Sequence, residues 1–367
     1  MNIYLPLAIL LTLICFGFRF NEKNSKRALW ITMMIACAVL AVRYGFGPDY
    51  VNYWDIYSGI RGSNVEGYTG TGSSTESAFL YVLSAFPSYT SFIVTFTLLL
   101  FMANTLYIHK YVNPRYYWLA ILFMFIEPTF LLLELVAMRS AIGAILFIIA
   151  LFFLLKGKRL IYIALIILAS LIHTSCIVLV LLVFLNTSKK SILFNNLLPF
   201  VCLALAVLTI LLGQNFIVEG LVDYAVDTIE ELNRYEGYQD SIGGVVQSLN
   251  SFLFKIMSFV ILLYLTNAGK KEMAPDYVII YKIAVLTAMI QIIFGQSLIG
   301  DRYLMILNIV YISAIARSIL TKQIIDYKIV LSIIAIIAVY MLYSKMGRDY
   351  NVSYLVYHTV FSAPYIP

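Results

Sequence analysis

The chain has 367 residues, 62% of them hydrophobic and 12% charged, with a formal net charge of +6. A soluble domain averages about 45–50% apolar and about 25% charged. The apolar residues also fall in blocks long enough for a bilayer core about 30 Å thick, which a helix crosses in about 20 residues. No soluble domain remains once the blocks are removed, so the composition excludes a cytosolic enzyme and predicts one all-α membrane domain over residues 1–367.

In chain order the predicted spans are 3–18, 28–42, 91–109, 116–133, 137–155, 192–212, 251–266, 277–298, 303–319 and 327–343. The first lacks the basic flank and small-residue cleavage site of a signal peptide and reads as a helix. The block 160–185 is too long for one straight crossing: its 26 residues would extend about 39 Å as a helix. Cys15, Cys37, Cys176 and Cys202 all lie inside apolar blocks with no CxxC pair, and read as small buried hydrophobes.

Charge sets the orientation. Basic clusters lie at 19–27, 110–115, 156–159, 189–190, 270–271 and 317–328, and acidic stretches at 49–76, 127–134 and 219–240. Cytoplasmic loops carry the excess of Lys and Arg. If 160–185 crosses once, the later basic loops fall outside. If it enters and leaves on the cytoplasmic side, every basic cluster is cytoplasmic and every acidic stretch external. The expectation is a re-entrant pair turning near His173-Thr174-Ser175, with its backbone buried in protein or lining a wet cavity. Two long external segments remain. Residues 45–89 read as a loop plus a short interfacial helix near 77–86, and 214–250 as an amphipathic helix on the membrane surface.

Against the acidic outer side, several arginines run counter to the orientation rule. Arg43 sits where a span ends, before Gly45, Gly47 and Pro48, with Asp49 in a constrained turn and Tyr50, Tyr53 and Trp54 close behind. A guanidinium suits phosphate because its planar fork of donors stays charged at low dielectric. Snorkelling with a turn salt bridge is the alternative there. Arg139 falls in the first turn of a span, where unpaired N–H groups and the helix dipole suit an anion rather than a cation. An ion pair with Glu134 is the alternative. Arg302 begins another span beside Asp301, which could instead form a local cap. His173 lies inside an apolar block, where an ionisable group faces a cavity or a partner, or is simply a satisfied core histidine.

If the three arginines are neighbours, they form a cationic cleft at the outer surface. Prepositioned cations stabilise the charge that develops on a pyrophosphate leaving group. External aromatics, Tyr50, Tyr53 and Trp54 among them, could pack on sugar rings, although such residues also populate membrane interfaces. No P-loop, GxSxG, HExxH or metal-ligand spacing occurs, so neither metal nor other cofactor is expected, and no nucleotide-binding domain is evident. The activated donor is then a lipid.

At these motifs the chain resembles the EpsG-like family of Wzy-type polysaccharide polymerases. The similarity rests on RYGFGPDYVNY at 43–53, MRSAIGAILF at 138–147 followed by the basic KGKR turn, ASLIHTS at 169–175, and DRY at 301–303. Where the family's RQ dipeptide is expected, this chain has Arg139-Ser140. The resemblance implies a GT-C-like polytopic enzyme in the bacterial cytoplasmic (inner) membrane. It would join undecaprenyl-pyrophosphate-linked repeat units at the outer face, for exopolysaccharide, capsule or O-antigen, without metal or nucleic acid. Its partners would be the lipid-linked substrates and the bilayer, with flippase and chain-length regulator proteins alongside.

Carried onto this sequence, the resemblance assigns Arg43, Arg139 and Arg302 to pyrophosphate, and Asp49, Glu134 or His173 to the acceptor hydroxyl as base. A base works best near its operating pH, which favours His173. A tip at mid-membrane would sit too deep to meet a sugar, which ranks Asp49 first. An O-antigen ligase-type transferase would use the same donor. A lipid-linked oligosaccharide flippase is the competing class, with midplane sites on interrupted helices and inverted repeats; no repeat is detectable here. Loss of a polymerase leaves single units on lipid outside the cell, whereas loss of a flippase traps them inside.

Overall fold

The computed structural model describes residues 4–45, 49–63, 77–126, 133–185, 275–294, 298–318 and 358–359. The predicted spans at 192–212, 251–266 and 327–343, the amphipathic segment at 214–250 and the Glu127-Pro128 pair lie outside them. The chain divides into two compact units, Met1–Asn186 with Leu342–Pro367, and Thr187–Met341.

In the first unit the described elements are α1 (Tyr4–Gly17), α2 (Glu22–Ala41), β1 (Arg43–Tyr44), α3 (Asp49–Ser63), α4 (Ser77–Ser84), α5 (Tyr89–Tyr111), α6 (Tyr117–Ile126), α7 (Leu133–Val136), α8 (Met138–Leu155) and α9 (Arg159–Ile172). A 3-10 segment, Thr174–Leu185, follows α9. The two-residue strand β2 (His358–Thr359) pairs antiparallel with β1, Arg43 opposite Thr359. The architecture is helical, as the composition requires.

Local chemistry explains the helix starts. Asn21 caps α2, its side chain accepting from the Asn24 amide at 3.1 Å. Ser88 and Ser91 form a reciprocal capping box at α5, which satisfies two amides that would otherwise be orphaned. Among the described residues, α5 and α8 are long and apolar enough to cross a membrane. On α5 the outward face is a stripe at Leu98, Met102 and Leu106, spaced by four residues and exposed. Such a contiguous apolar stripe belongs against lipid rather than water.

Between α2 and α5 the described residues 49–63 form a helix where the sequence suggested loop. Asp49 opens α3, where an acid complements the amide end of the helix dipole. Tyr50, Tyr53, Ile56, Tyr57 and Ile60 all lie on one buried face of α3. This i, i+3, i+4, i+7 spacing was present in the sequence and is an amphipathic signature. The face packs into a core with Phe79, Leu83, Tyr89, Phe92, Met138, Ile142 and Ile172. Arg61, at the far end of α3, donates to the Tyr57 hydroxyl at 3.1 Å and to the Phe86 carbonyl. It therefore holds α3 against the turn before α5.

The α9 helix stops at His173, which adopts an extended conformation (φ −144°, ψ 99°). The chain then reverses, and Tyr162 near the start of α9 donates its hydroxyl to the Leu179 carbonyl in the 3-10 segment. A straight continuation would separate those residues by about 25 Å. The two arms are similar in reach, about 21 Å for α9 at 1.5 Å per residue and about 24 Å for the 3-10 segment at 2.0 Å.

The second unit contains α10 (Pro275–Phe294) and α11 (Leu298–Ser318), packed against each other. Tyr277 donates to the Ala314 carbonyl at 3.1 Å, and the Gln291 amide donates to Asn308 Oδ1 at 3.3 Å. Thr287, Asn308 and Ser313 are buried along this pair, as is Lys282. Polar side chains at such a seam substitute hydrogen bonds for the hydrophobic drive that lipid removes.

Candidate functional site

The site is built around the start of α8. A single residue, Ala137, separates α7 from α8 and offers no side-chain cap; the backbone amide of Arg139 in the first turn meets the Tyr53 hydroxyl from α3. Arg139 is the second residue of the helix, half-buried, with Nε donating to the Tyr53 hydroxyl at 3.4 Å. Its guanidinium carbon lies 5.9 Å from the Tyr53 ring centroid. Two features that suit an anion thus coincide, a helix N-terminus and a guanidinium.

Tyr53 is buried, and burial pushes its hydroxyl above the ordinary range. Arg139 pulls it back down, and the Asp49 carboxylate, one turn earlier on α3, pushes it up. The same hydroxyl therefore senses the cation and the carboxylate, so residues 49, 53 and 139 converge. Asp49 itself is only partly covered. Tyr50 is buried edge-on to Tyr89 at 5.1 Å, and burial pushes its hydroxyl up to about 12. Trp54 is half-buried, edge-on to Tyr89 at 5.6 Å. Tyr89 donates its hydroxyl to the Tyr50 carbonyl at 3.1 Å. Tyr50 and Tyr53 form the floor of an aromatic layer, with Trp54 at its edge.

Arg43 is 1% exposed. Its Nη1 donates to the Leu40 carbonyl at 2.8 Å and the Thr97 hydroxyl at 2.6 Å. Its Nη2 donates to the Leu135 carbonyl at 2.9 Å and to Met138 Sδ at 3.3 Å. The guanidinium expected to meet substrate is engaged by acceptors of the protein itself.

His173 is buried, with Nε2 3.2 Å from Ser140 Oγ. The tip of the α9 hairpin thus reaches the first turn of α8, one residue from Arg139 in sequence. A Cβ added at Gly143 would stand 2.7 Å from Cys176 Sγ and 3.8 Å from His173 Cβ. Glycine there is what lets the tip seat on α8. Sequence reasoning passed over Gly143 and Thr97 and met Ser140 only as a departure from the family's RQ dipeptide; the small residues Ser140 and Gly143 on one face of an apolar helix were the available signal.

Glu134 lies within α7, just before the α7–α8 break. Arg302 belongs to the second unit. It is the fifth residue of α11, a full turn inside the helix rather than at its start, and is half-buried. Among the described residues no group of His, Cys, Asp and Glu is arranged to hold a metal ion.

The sequence model of the EpsG family matches residues 26–359. No curated protein and no solved structure matches the chain.

Proposed function

The chain belongs to the EpsG family, a Wzy-like polymerase family and hence one of membrane proteins of polysaccharide synthesis, and from that premise we propose that it joins undecaprenyl-pyrophosphate-linked repeat units at the outer face of the cytoplasmic membrane. In this reading it is a metal-independent glycosyltransferase with about 10 spans, as bilayer thickness and the apolar blocks allow. The α9 hairpin is its re-entrant element, entering from the cytoplasmic side.

The observation that carries the proposal is the convergence of Asp49, Tyr53 and Arg139 at the start of α8. Arg139, with the positive end of the α8 dipole behind it, holds the diphosphate of the donor. As the glycosidic carbon leaves the lipid diphosphate, negative charge grows on the departing oxygen, and these fixed donors stabilise it. Asp49 accepts the proton of the incoming hydroxyl. His173, beside the first turn of α8, is the second candidate for that proton, and Glu134 the third. Trp54, at the open edge of the aromatic layer, packs on the sugar, above Tyr50 and Tyr53.

The test is the product left when the site is disabled. Arg139→Lys keeps the charge but loses the fork. The expected result is single repeat units on lipid at the outer face and no polymer. Normal polymer from Arg139→Lys removes Arg139 from the site, and lipid-linked units trapped inside the cell identify a flippase instead.

A further inference from the structure

Ala137 alone joins α7 to α8 and has no side chain to cap the helix; the Arg139 amide in the first turn meets the Tyr53 hydroxyl. Groups from other segments therefore fix where α8 begins and how its first turn is aimed. The Arg43 guanidinium grips both sides of that joint, the Leu135 carbonyl before Ala137 and the Met138 sulfur after it. Its other nitrogen is anchored to Leu40 at the end of α2 and to Thr97 on α5. The Arg43 backbone is held in turn by pairing with Thr359.

We propose that Arg43 is a positioning residue, which aims Arg139 by clamping the α7–α8 joint to α2 and α5. The proposal rests on the reading of Arg139 as the group that grips the diphosphate. A planar fork is needed because the acceptors diverge in pairs from two nitrogens, and a single ammonium cannot reproduce that geometry. The side chain is 1% exposed and its two terminal nitrogens already have protein acceptors. Contact with a ligand would require dismantling the joint. A shift of about 1 Å in a catalytic group from a distant change is enough to lower turnover roughly 100-fold.

The experiment uses the full chain in lipid nanodiscs, with the four native cysteines replaced by alanine. Arg139→Cys reports the position of α8's first turn through its rate of reaction with a maleimide, and Ser58→Cys on the exposed side of α3 is the control. Each reporter is measured with and without Arg43→Lys or Thr97→Val. Labelling at position 139 is expected to change several-fold with either substitution, while labelling at position 58 stays constant. With Arg139 intact, both substitutions are expected to lower kcat for a lipid-linked repeat more than they raise KM, Arg43→Lys roughly 100-fold. If Arg43→Lys does not fold, Thr97→Val carries the test, because it keeps the cation and removes one hydroxyl. Unchanged labelling at position 139 in a folded variant overturns the proposal. So does an effect of the same size at position 58. The labelling readout does not depend on activity, so a failed role for Arg139 in diphosphate binding shows separately, as an active Arg139→Lys variant.

Discussion

Ser140 Oγ stands 3.2 Å from His173 Nε2, so the tip of the α9 hairpin reaches the helix turn that carries Arg139. The consequence is mechanistic. In the proposed mechanism a histidine here exchanges a proton with groups around the diphosphate, and its ring is oriented by a hydroxyl on the helix that carries Arg139. Ser140→Ala is expected to cost about 1 kcal/mol of stability, the value of one buried hydrogen bond. It should also alter the pH profile of polymerisation if His173 handles the proton. A stability loss with an unchanged profile would leave His173 a packing residue, and denaturant titration alongside rate measurements separates the two.

Asp49→Asn tests the competing base. The side chain is only partly covered, at the start of α3, and asparagine fits the helix start. Folding should be little changed. Turnover should fall at least roughly 100-fold, the usual contribution of a positioned base, measured as polymer formed per unit of folded protein. An Asn variant with full activity counts against Asp49.

Gly143→Ala is expected to destabilise the protein by about 1–3 kcal/mol through overpacking, because the new methyl meets Cys176 Sγ at 2.7 Å. Adding Cys176→Ala removes the obstructing sulfur and should recover most of the loss. Thermal unfolding of the two single variants and the double variant measures the coupling. Additive effects would show that the tip does not seat on Gly143.

Alkaline stability should report on Tyr50. Its hydroxyl is raised from the ordinary 10 to about 12 in the folded protein by burial. Between those values the unfolded chain loses a proton that the folded protein keeps. The contribution is therefore intact below about pH 10 and is lost as pH rises toward about 12. Tyr50→Phe should flatten the fall in stability over that window, followed by unfolding monitored against pH. A slope identical to wild type would show that Tyr50 ionises as readily folded as unfolded.

Orientation is testable at Ser188, between the hairpin and the basic pair Lys189-Lys190. The re-entrant topology places this position in the cytoplasm. Ser188→Cys should resist a membrane-impermeant thiol reagent in intact cells and react after permeabilisation. Labelling from outside would mean that the block 160–185 crosses once.

Much of the helical architecture was legible in the sequence, because apolar periodicity and turn chemistry are local. The starts of α5 and α8 fall within two residues of the blocks that predict them, α2 begins six residues ahead of its block because Asn21 caps it there, and the polar His-Thr-Ser interruption marks where α9 stops. The helix α3 was legible too, in the tyrosine and isoleucine spacing, but glycines and serines nearby suggested loop. The chemical weight of each arginine was not legible. Arg43 and Arg139 look equivalent in one dimension, each at the end of an apolar block.

By itself the sequence determined that this is a helical membrane protein of its family, since composition, block length and motif order are properties of the chain alone. Only the tertiary structure decided that the Arg43 side chain turns inward onto the carbonyls of α2 and α7, that Arg139 rests on Tyr53, and that His173 rises to the level of Ser140. Those outcomes depend on which backbone carbonyls, hydroxyls and glycine gaps other segments bring alongside. A guanidinium or imidazole takes its role from the acceptors that reach it, and residues 43 and 135, or 140 and 173, become neighbours only when the helices pack.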